Sequence, residues 1–121
     1  MRAGLINPKV SMLVAVDGDG LLGYTGCGES RDPDAGSEAA EIWSFFVAAG
    51  GWGRGTGRAL MTAALADLTE RGHSQATVWS FADNERANAF YERHGFERDG
   101  TTRTEEHWAD ILEVRYRRGL P

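Results

Sequence analysis

The chain has little of several residue types, and each shortage excludes a class of protein. It contains one cysteine, Cys27, and one lysine, Lys9, among 121 residues. A single cysteine excludes a disulfide framework and a cysteine-based metal site. The three histidines are scattered without metal-ligand spacing, so we expect no bound metal. No apolar run approaches the length of a membrane span, and the first residues lack a signal-peptide core, so no membrane association is expected.

The chain also lacks basic character. Lys and Arg total 13 against 18 Asp and Glu, which gives a net charge of −5. Proteins that bind nucleic acid neutralise phosphates with a basic stripe, so nucleic acid is not an expected partner. The length predicts a single domain over residues 1–121 that buries roughly two-thirds of its unfolded surface. These bounds together indicate a soluble, cytoplasmic protein.

Glycine, in contrast, is abundant and concentrated after one hydrophobic segment. Residues 42–47 are apolar or small, with β-branched and aromatic types, which is typical of a strand buried on both faces. An amphipathic helix is predicted after Gly55, and the intervening loop contains five glycines: Gly50, Gly51, Gly53, Gly55 and Gly57. Such a loop exposes backbone N–H groups, and the positive end of the helix dipole adds to them. The pattern predicts an anion site, most simply for phosphate; a turn that only connects strand to helix is the alternative.

The spacing of this loop excludes two familiar phosphate-binding motifs. A dinucleotide-binding fingerprint requires a third glycine where Arg58 stands, and no acidic residue follows at the expected distance. A P-loop requires Gly-Lys followed by Ser or Thr, and the only lysine is Lys9. Neither motif accounts for the segment.

Two segments resemble the GNAT superfamily of N-acetyltransferases. The acetyl-CoA pyrophosphate loop of that family, Gln/Arg-x-x-Gly-x-Gly/Ala, falls here on Trp52, Gly55 and Gly57, with Trp52 departing from the usual Gln or Arg. Residues 84–96 are similar to a second family element, Asn-x-x-Ala-x-x-Phe-Tyr-Glu-x-x-Gly-Phe, at every named position. The two elements occur in the family's order, and with the strands before each they cover residues 40–96.

The periodicity along the chain predicts an α/β (α+β) fold with a mixed sheet and the order β-β-β-α-β-α-β-β. Residues 1–10 are expected to be a loop or a docked arm. The predicted strands cover residues 11–16, 21–28, 40–47, 75–81, 96–104 and 111–117. The first helix is expected to follow Gly55 and to end near Gly72, and the second to run from Asn84 to Gly95. Residues 29–38 and 105–110 are polar and predict loops.

The resemblance implies that the chain is short at its N-terminus. Family members normally begin with a strand and one or two helices before the hairpin that starts here near Ser11. Without them, a sheet edge and apolar surface are exposed, and a second copy of the chain would cover them. A homodimer is therefore expected.

The resemblance further implies direct transfer of an acetyl group from acetyl-CoA to a primary amine in a ternary complex. The amine must first lose a proton, since an ammonium has a pKa of about 10.4. Glu41 stands where several family members carry a general base, and it shares strand parity with Trp43, Phe45 and Val47. A solvent-exposed strand start is its alternative role. Tyr91 matches the tyrosine that gives a proton to the departing thiolate; packing in the core is its alternative role.

The same resemblance implies an acetyl-CoA site that needs no metal. The main chain of Val47 would pair with the pantetheine arm, and Asn84 would hydrogen-bond it. The segment over residues 50–57, called the glycine loop below, would surround the pyrophosphate. The expected cofactor-binding residues are Phe45, Val47, Trp52, Gly53, Arg54, Gly55, Gly57, Arg58 and Asn84. A helix N-cap is the alternative role for Asn84, and solvent-facing positions are the alternative for the two arginines.

The acceptor is the least constrained part of the prediction. A small-molecule amine is expected first, and a protein amino group is an alternative. The acidic residues of the 29–38 loop suit either a cationic acceptor or a solvated loop. A non-catalytic acyl-CoA-binding or interaction module is the rival class, and the presence of both Glu41 and Tyr91 favours an enzyme.

Overall fold

The described residues of the chain form one seven-stranded sheet with two α-helices. The computed structural model describes residues 2–7, 10–18, 20–104 and 111–121. The elements in chain order are β1 (Arg2–Asn7), β2 (Val10–Asp17), β3 (Gly20–Glu29), β4 (Ala39–Val47), α1 (Thr56–Glu70), β5 (Gln75–Phe81), α2 (Glu85–Arg93), β6 (Glu97–Thr104) and β7 (Leu112–Gly119). The strands lie in the order β1-β2-β3-β4-β5-β7-β6, and the β4–β5 pair is parallel while the other neighbours are antiparallel.

The predicted mixed sheet and the element order from the second strand onward are confirmed, but the N-terminal prediction is wrong. The segment expected to be a loop or a docked arm is strand β1, which pairs with β2 from Arg2 opposite Val14 to Asn7 opposite Val10. Its side-chain pattern is too irregular to predict a strand, and the backbone ladder to β2 determines its conformation instead. The described residues contain no α-helix before α1; a short 3-10 helix, Ala49–Gly51, lies in the loop after β4.

The core lies between the sheet and α1. The apolar stripe of α1 is fully buried at Leu60, Met61 and Leu68, and it packs over β2, β3 and β4. Cys27 of β3 is completely buried in the same cluster, and burial raises the pKa of its thiol to about 12. This thiol is therefore protonated at neutral pH and acts as a small apolar side chain.

A β-bulge in β4 changes which side chains share a face. Cys27 of β3 lies opposite Ile42, whereas the preceding residue of β3 lies opposite Ser44, so Trp43 is an extra residue. Before the bulge, Glu41 pairs with Gly28; after it, Phe45 pairs with Thr25. Positions 25 and 28 of β3 point to opposite faces. The predicted shared parity of Glu41 with Phe45 is therefore wrong.

The sheet opens between β4 and β5. These two strands pair only from Ala39 opposite Gln75 to Ile42 opposite Val78, after which they separate. Both helices pack on the face that carries Ile42 and Phe45, as shown by the core contacts of α1 and by Phe90 of α2, whose ring lies 5.2 Å from that of Phe45. The opposite face carries Glu41. The opening between the strands thus joins two chemically different surfaces.

Candidate active site

A groove of ≈ 920 Å³ lies between the end of β4, the glycine loop, the start of α1 and the inner face of α2. It brings together the two segments that carried the family resemblance. Nine of the predicted site residues line it: Phe45, Val47, Trp52, Gly53, Gly55, Gly57, Arg58, Asn84 and Tyr91. Arg54 and Glu41 do not line it. The sequence analysis did not predict eight further groove residues: Phe46, Gly51, Thr56, Arg86, Ala87, Phe90, Arg93 and His94.

The glycine loop has the conformation that its residues predict. Gly53 and Gly55 have φ of 72° and 76°, a region that other residues adopt only with strain. Gly55 is the N-cap of α1, and its carbonyl accepts the first helical hydrogen bond, from the N–H of Ala59 at 3.0 Å. The N–H groups of the first helical turn therefore have no intrahelical acceptor, and they are available to an anion in the groove.

Gly57 allows the two helices to meet at the groove. A Cβ atom at this position would lie 3.1 Å from the Phe90 ring of α2. The Phe90 ring in turn stacks against His94, with centroids 4.6 Å apart. A larger residue at Gly57 would separate α1 from α2, so this glycine is required by close packing.

Trp52 connects three walls of the groove. Its indole Nε1 donates a hydrogen bond of 3.0 Å to the carbonyl of Val47, at the end of β4. Its ring lies 4.5 Å from the guanidinium of Arg86, in the first turn of α2. The indole remains 54% exposed despite these contacts. In this structure Trp52 therefore occupies the acceptor that the Val47 main chain was expected to offer to a pantetheine amide.

Tyr91 presents its hydroxyl to the groove from a packed ring. The residue is 8% exposed, and its ring contacts those of Phe90, Phe96 and Tyr116. Burial raises the pKa of the phenol to about 12, so it is protonated at neutral pH. Within the described part of the chain, the hydroxyl makes no hydrogen bond. The two roles considered for Tyr91, proton donor and core residue, are therefore compatible, because its ring is in the core while its hydroxyl reaches the groove.

The remaining cofactor predictions have mixed outcomes. Asn84 lines the groove and is also the N-cap of α2, where its side-chain oxygen accepts from the N–H of Ala87 at 3.1 Å. Arg54 lies outside the groove, and its guanidinium pairs with Asp17 at 3.0 Å and with the carbonyl of Gly50 at 3.3 Å. The side chain of Arg54 therefore has partners within the chain, and its contact with the cofactor stays a prediction.

Glu41 is buried on the opposite face of the sheet. It is 5% exposed, so the alternative of a solvated strand start is wrong. Its Oε1 accepts hydrogen bonds from the N–H of Arg31 at 3.0 Å and from Ser30 Oγ at 3.5 Å. Burial raises the pKa of the carboxyl above its usual range; the bond from Arg31 opposes this shift and the nearby Asp32 carboxylate adds to it. A carboxyl of this kind accepts a proton more readily than an exposed one.

A network of charges covers the same face beside Glu41. Arg115 of β7 is 4% exposed and contacts three carboxylates: Asp32 at 3.2 Å, Asp34 at 2.8 Å and Asp99 at 2.6 Å. Trp79 Nε1 donates to Asp32 at 3.0 Å. Asp32 and Asp34 belong to the 29–38 loop, whose acidic residues suited a cationic acceptor. Their charges are therefore neutralised within the chain, by Arg115. The sequence signal was the alternation of arginines at 115 and 117 on a strand, but their partners lie far away along the chain.

The described residues contain neither a metal-binding cluster nor a membrane-spanning helix. Among residues 2–7, 10–18, 20–104 and 111–121, no three His, Cys, Asp or Glu side chains lie together as metal ligands would. Over the same residues, neither helix is long and apolar enough to cross a membrane.

Comparison with known proteins identifies a family and a relative. Residues 2–96 match the model of the acetyltransferase (GNAT) family. The mycothiol acetyltransferase of Beutenbergia cavernae is 39% identical over 90 residues, which make up 74% of this chain and 29% of that protein. The chain therefore spans less than a third of the length of this relative.

Solved structures share the fold. A nourseothricin acetyltransferase matches with a TM-score of 0.81 at 25% identity, over 94% of this chain and 67% of that one. An acetyltransferase of Bacillus subtilis in complex with CoA matches with a TM-score of 0.77 at 16% identity, over 93% of this chain and 78% of that one. These matches confirm the expected fold class.

Proposed function

Because the chain belongs to the acetyltransferase (GNAT) family, we propose that it is an acetyl-CoA-dependent N-acetyltransferase acting on a primary amine. One observation carries the proposal. The protonated Tyr91 hydroxyl, without a partner in the described chain, faces a groove formed by the glycine loop and by the end of β4. That groove lies at the opening between β4 and β5, and the buried carboxyl of Glu41 is on the other side of the sheet.

The groove suits acetyl-CoA along its whole length. Acetyl-CoA supplies an acetyl group activated as a thioester. The N–H groups at the start of α1 would hold the pyrophosphate, and the free edge of β4 beyond Ile42 would pair with the amides of the pantetheine arm. For this pairing, the indole of Trp52 must leave the carbonyl of Val47. Phe45 and Phe90 provide an apolar wall that excludes water from the reacting end.

Two residues would handle the protons. Glu41 would take a proton from the acceptor ammonium, directly or through a water, because its raised pKa makes the carboxylate a better base. Tyr91, which burial keeps protonated, would give its phenolic proton to the sulfur as the C–S bond breaks, and the proton that the attacking nitrogen loses on amide formation would return to the phenolate. The amine approaches from the Glu41 face and the thioester from the groove, so the two groups meet at the opening of the sheet.

The names of two similar proteins, a mycothiol acetyltransferase and a nourseothricin acetyltransferase, support a small-molecule amine as the acceptor. A protein amino group is the alternative acceptor. A non-catalytic acyl-CoA-binding module is the alternative function, and it shares the groove but needs neither Glu41 nor Tyr91.

The test combines binding and turnover. Acetyl-CoA titrated into the purified chain should bind with micromolar affinity, and thiol release should appear with some members of an amine panel. Tyr91→Phe should lower kcat about 10²-fold or more while the affinity for acetyl-CoA changes little, because the ring packing is kept. Binding without thiol release from any amine would favour the non-catalytic module. No binding to a folded chain would overturn the proposal.

We also propose that the chain is a homodimer. Val14, Tyr24 and Phe46 are neighbours across three strands on the face without helices, and Phe46 is 46% exposed. Burying such an apolar strip would stabilise a pair of chains. Sedimentation at micromolar concentration should give twice the monomer mass, and Tyr24→Glu should restore the monomer. A monomer for the unmodified chain would refute the dimer.

A further inference from the structure

The arginines that line the groove do not pair with a carboxylate, whereas most other arginines in the described residues do. Arg58, Arg86 and Arg93 pair with no Asp or Glu in the part of the chain that the structure describes. Arg86 has the ring of Trp52 as its partner. Elsewhere, for example at Arg54 and Arg117, the guanidinium contacts an acidic side chain. On a chain with a net charge of −5, unpaired cations in one groove indicate an anionic ligand.

Two of these arginines converge with a histidine at the far end of α2. Gly57 packs directly against Phe90, so the next residue, Arg58, lies beside the C-terminal half of α2. The ring of His94 stacks on the same Phe90, and Arg93 precedes it in the chain. Burial lowers the pKa of His94, and the charges of Arg93, Arg58 and Arg118 lower it further. Three guanidinium groups therefore lie close enough to one imidazole to oppose its protonation.

One of these three arginines, Arg118, already has hydrogen-bond partners. Arg118 donates from its Nη1 to the carbonyl of His94 at 2.7 Å and from its Nε to the carbonyl of Gly119 at 2.9 Å. It fixes the end of α2 and leaves Arg58, Arg93 and the imidazole of His94 to face the groove. An uncompensated positive cluster of this kind is electrostatically unfavourable in the free protein. A bound anion would remove the repulsion.

We propose that Arg58, Arg93 and His94 form a second anion subsite, distinct from the glycine loop, that binds a phosphomonoester. Because the inference rests on the proposed function, the ligand group is the 3′-phosphate on the ribose of CoA. The glycine loop offers backbone N–H groups, which suit the pyrophosphate. The second subsite offers the planar forks of two guanidinium groups, which suit a terminal phosphate with three free oxygens.

The test compares acetyl-CoA with acetyl-3′-dephospho-CoA by isothermal titration at low ionic strength. The unmodified chain should bind acetyl-CoA about tenfold more tightly than the dephospho analogue, the effect expected of charge-assisted contacts at an exposed site. The preference should shrink in high salt, since surface electrostatics are screened. In the double variant Arg58→Gln/Arg93→Gln, the ratio of the two affinities should fall to about one.

The control variant is Arg98→Gln, which removes the same charge from an exposed arginine outside the groove. It should keep the tenfold preference. Equal affinity of the unmodified chain for both ligands would overturn the second subsite while leaving the acetyl-CoA site intact. Failure of both ligands to bind a folded chain would overturn the proposed function and the subsite together. A preference that persists in the double variant would also overturn the assignment to these residues.

Discussion

At the scale of single residues, Glu41 and Tyr91 are both buried ionisable groups whose raised pKa values serve different roles. Burial keeps the phenol of Tyr91 protonated, so it is a proton donor at every physiological pH. Burial also raises the pKa of the Glu41 carboxyl, so it is a stronger base once ionised. In the proposed mechanism, burial would therefore keep the proton donor protonated and strengthen the base, on opposite faces of one sheet.

Glu41→Gln separates the chemical role of this residue from its structural role. We expect kcat to fall about 10²- to 10⁴-fold, because the amide cannot accept the proton of the amine. The amide oxygen can still accept the hydrogen bond from Arg31, so the free energy of unfolding at neutral pH should not fall. The ascending limb that Glu41 gives to the pH profile of kcat/KM should disappear. The matched control is Glu38→Gln, an exposed residue just before β4, which should leave kcat unchanged.

The sign of the stability effect follows from proton binding. A carboxyl whose pKa is raised by folding binds more protons in the folded chain than in the unfolded chain, so its contribution to stability falls as pH rises through that window. At neutral pH the ionised Glu41 is a cost that the glutamine avoids. A clear loss of stability in Glu41→Gln, or full activity, would contradict the assigned role.

At the scale of elements, the loop before β4 is attached to the sheet by Arg115. This buried guanidinium joins Asp32 and Asp34 of the loop to Asp99 of β6. The loop also covers Glu41 through Ser30 and Arg31. The position of the expected base therefore depends on an arginine that is remote in sequence.

Arg115→Met should destabilise the chain strongly. Removing the guanidinium leaves Asp32 and Asp99 without a main partner in a buried setting, and breaking such a pair costs about 3–5 kcal/mol. Urea denaturation at neutral pH measures this loss. Arg54→Met is the matched control, because its pair with Asp17 is exposed and worth at most about 1 kcal/mol. A loss no larger than the control's would mean that the network does not hold the loop.

The pH dependence of stability provides a second test of the Arg115 network. The Arg115 hydrogen bond lowers the pKa of the Asp34 carboxyl to about 2, and the pKa of Asp99 is lowered as well. A carboxylate with a lowered pKa stabilises the fold above its unfolded pKa, and that contribution disappears as pH falls toward 2. The unmodified chain should therefore lose stability in acid. The difference in the free energy of unfolding between the unmodified chain and Arg115→Met should become smaller as the pH falls.

Sequence patterns predicted the parts of the fold that depend on local signals. Asp-Gly pairs marked the β2–β3 turn, apolar spacing marked both helices, and the two family-like segments lie together in one groove. The bulge at Trp43 was not predictable, because it depends on how β3 and β4 align and leaves no mark in β4 itself. The Arg115 network was missed for a similar reason, since its partners Asp32 and Asp34 lie more than eighty positions away.

At the scale of the whole molecule, the sheet separates two surfaces and connects them at one place. The helices, the glycine loop and Tyr91 occupy one face, while Glu41 and the charged network occupy the other. β4 and β5 pair only up to Ile42 and Val78, and their separation creates the passage between the faces. This separation is compatible with the proposed ternary complex, in which the two substrates would not compete for the same surface.

The bulge at Trp43 makes the two halves of β4 structurally independent of each other. It divides β4 into a first half that belongs to the Glu41 face and a second half that belongs to the groove. Insertions or deletions before Trp43 would shift the loop and Glu41 as a unit, while Phe45 and Val47 keep their register against β3. The extra residue thus lets the position of the Glu41 carboxyl change without moving the part of β4 that lines the groove.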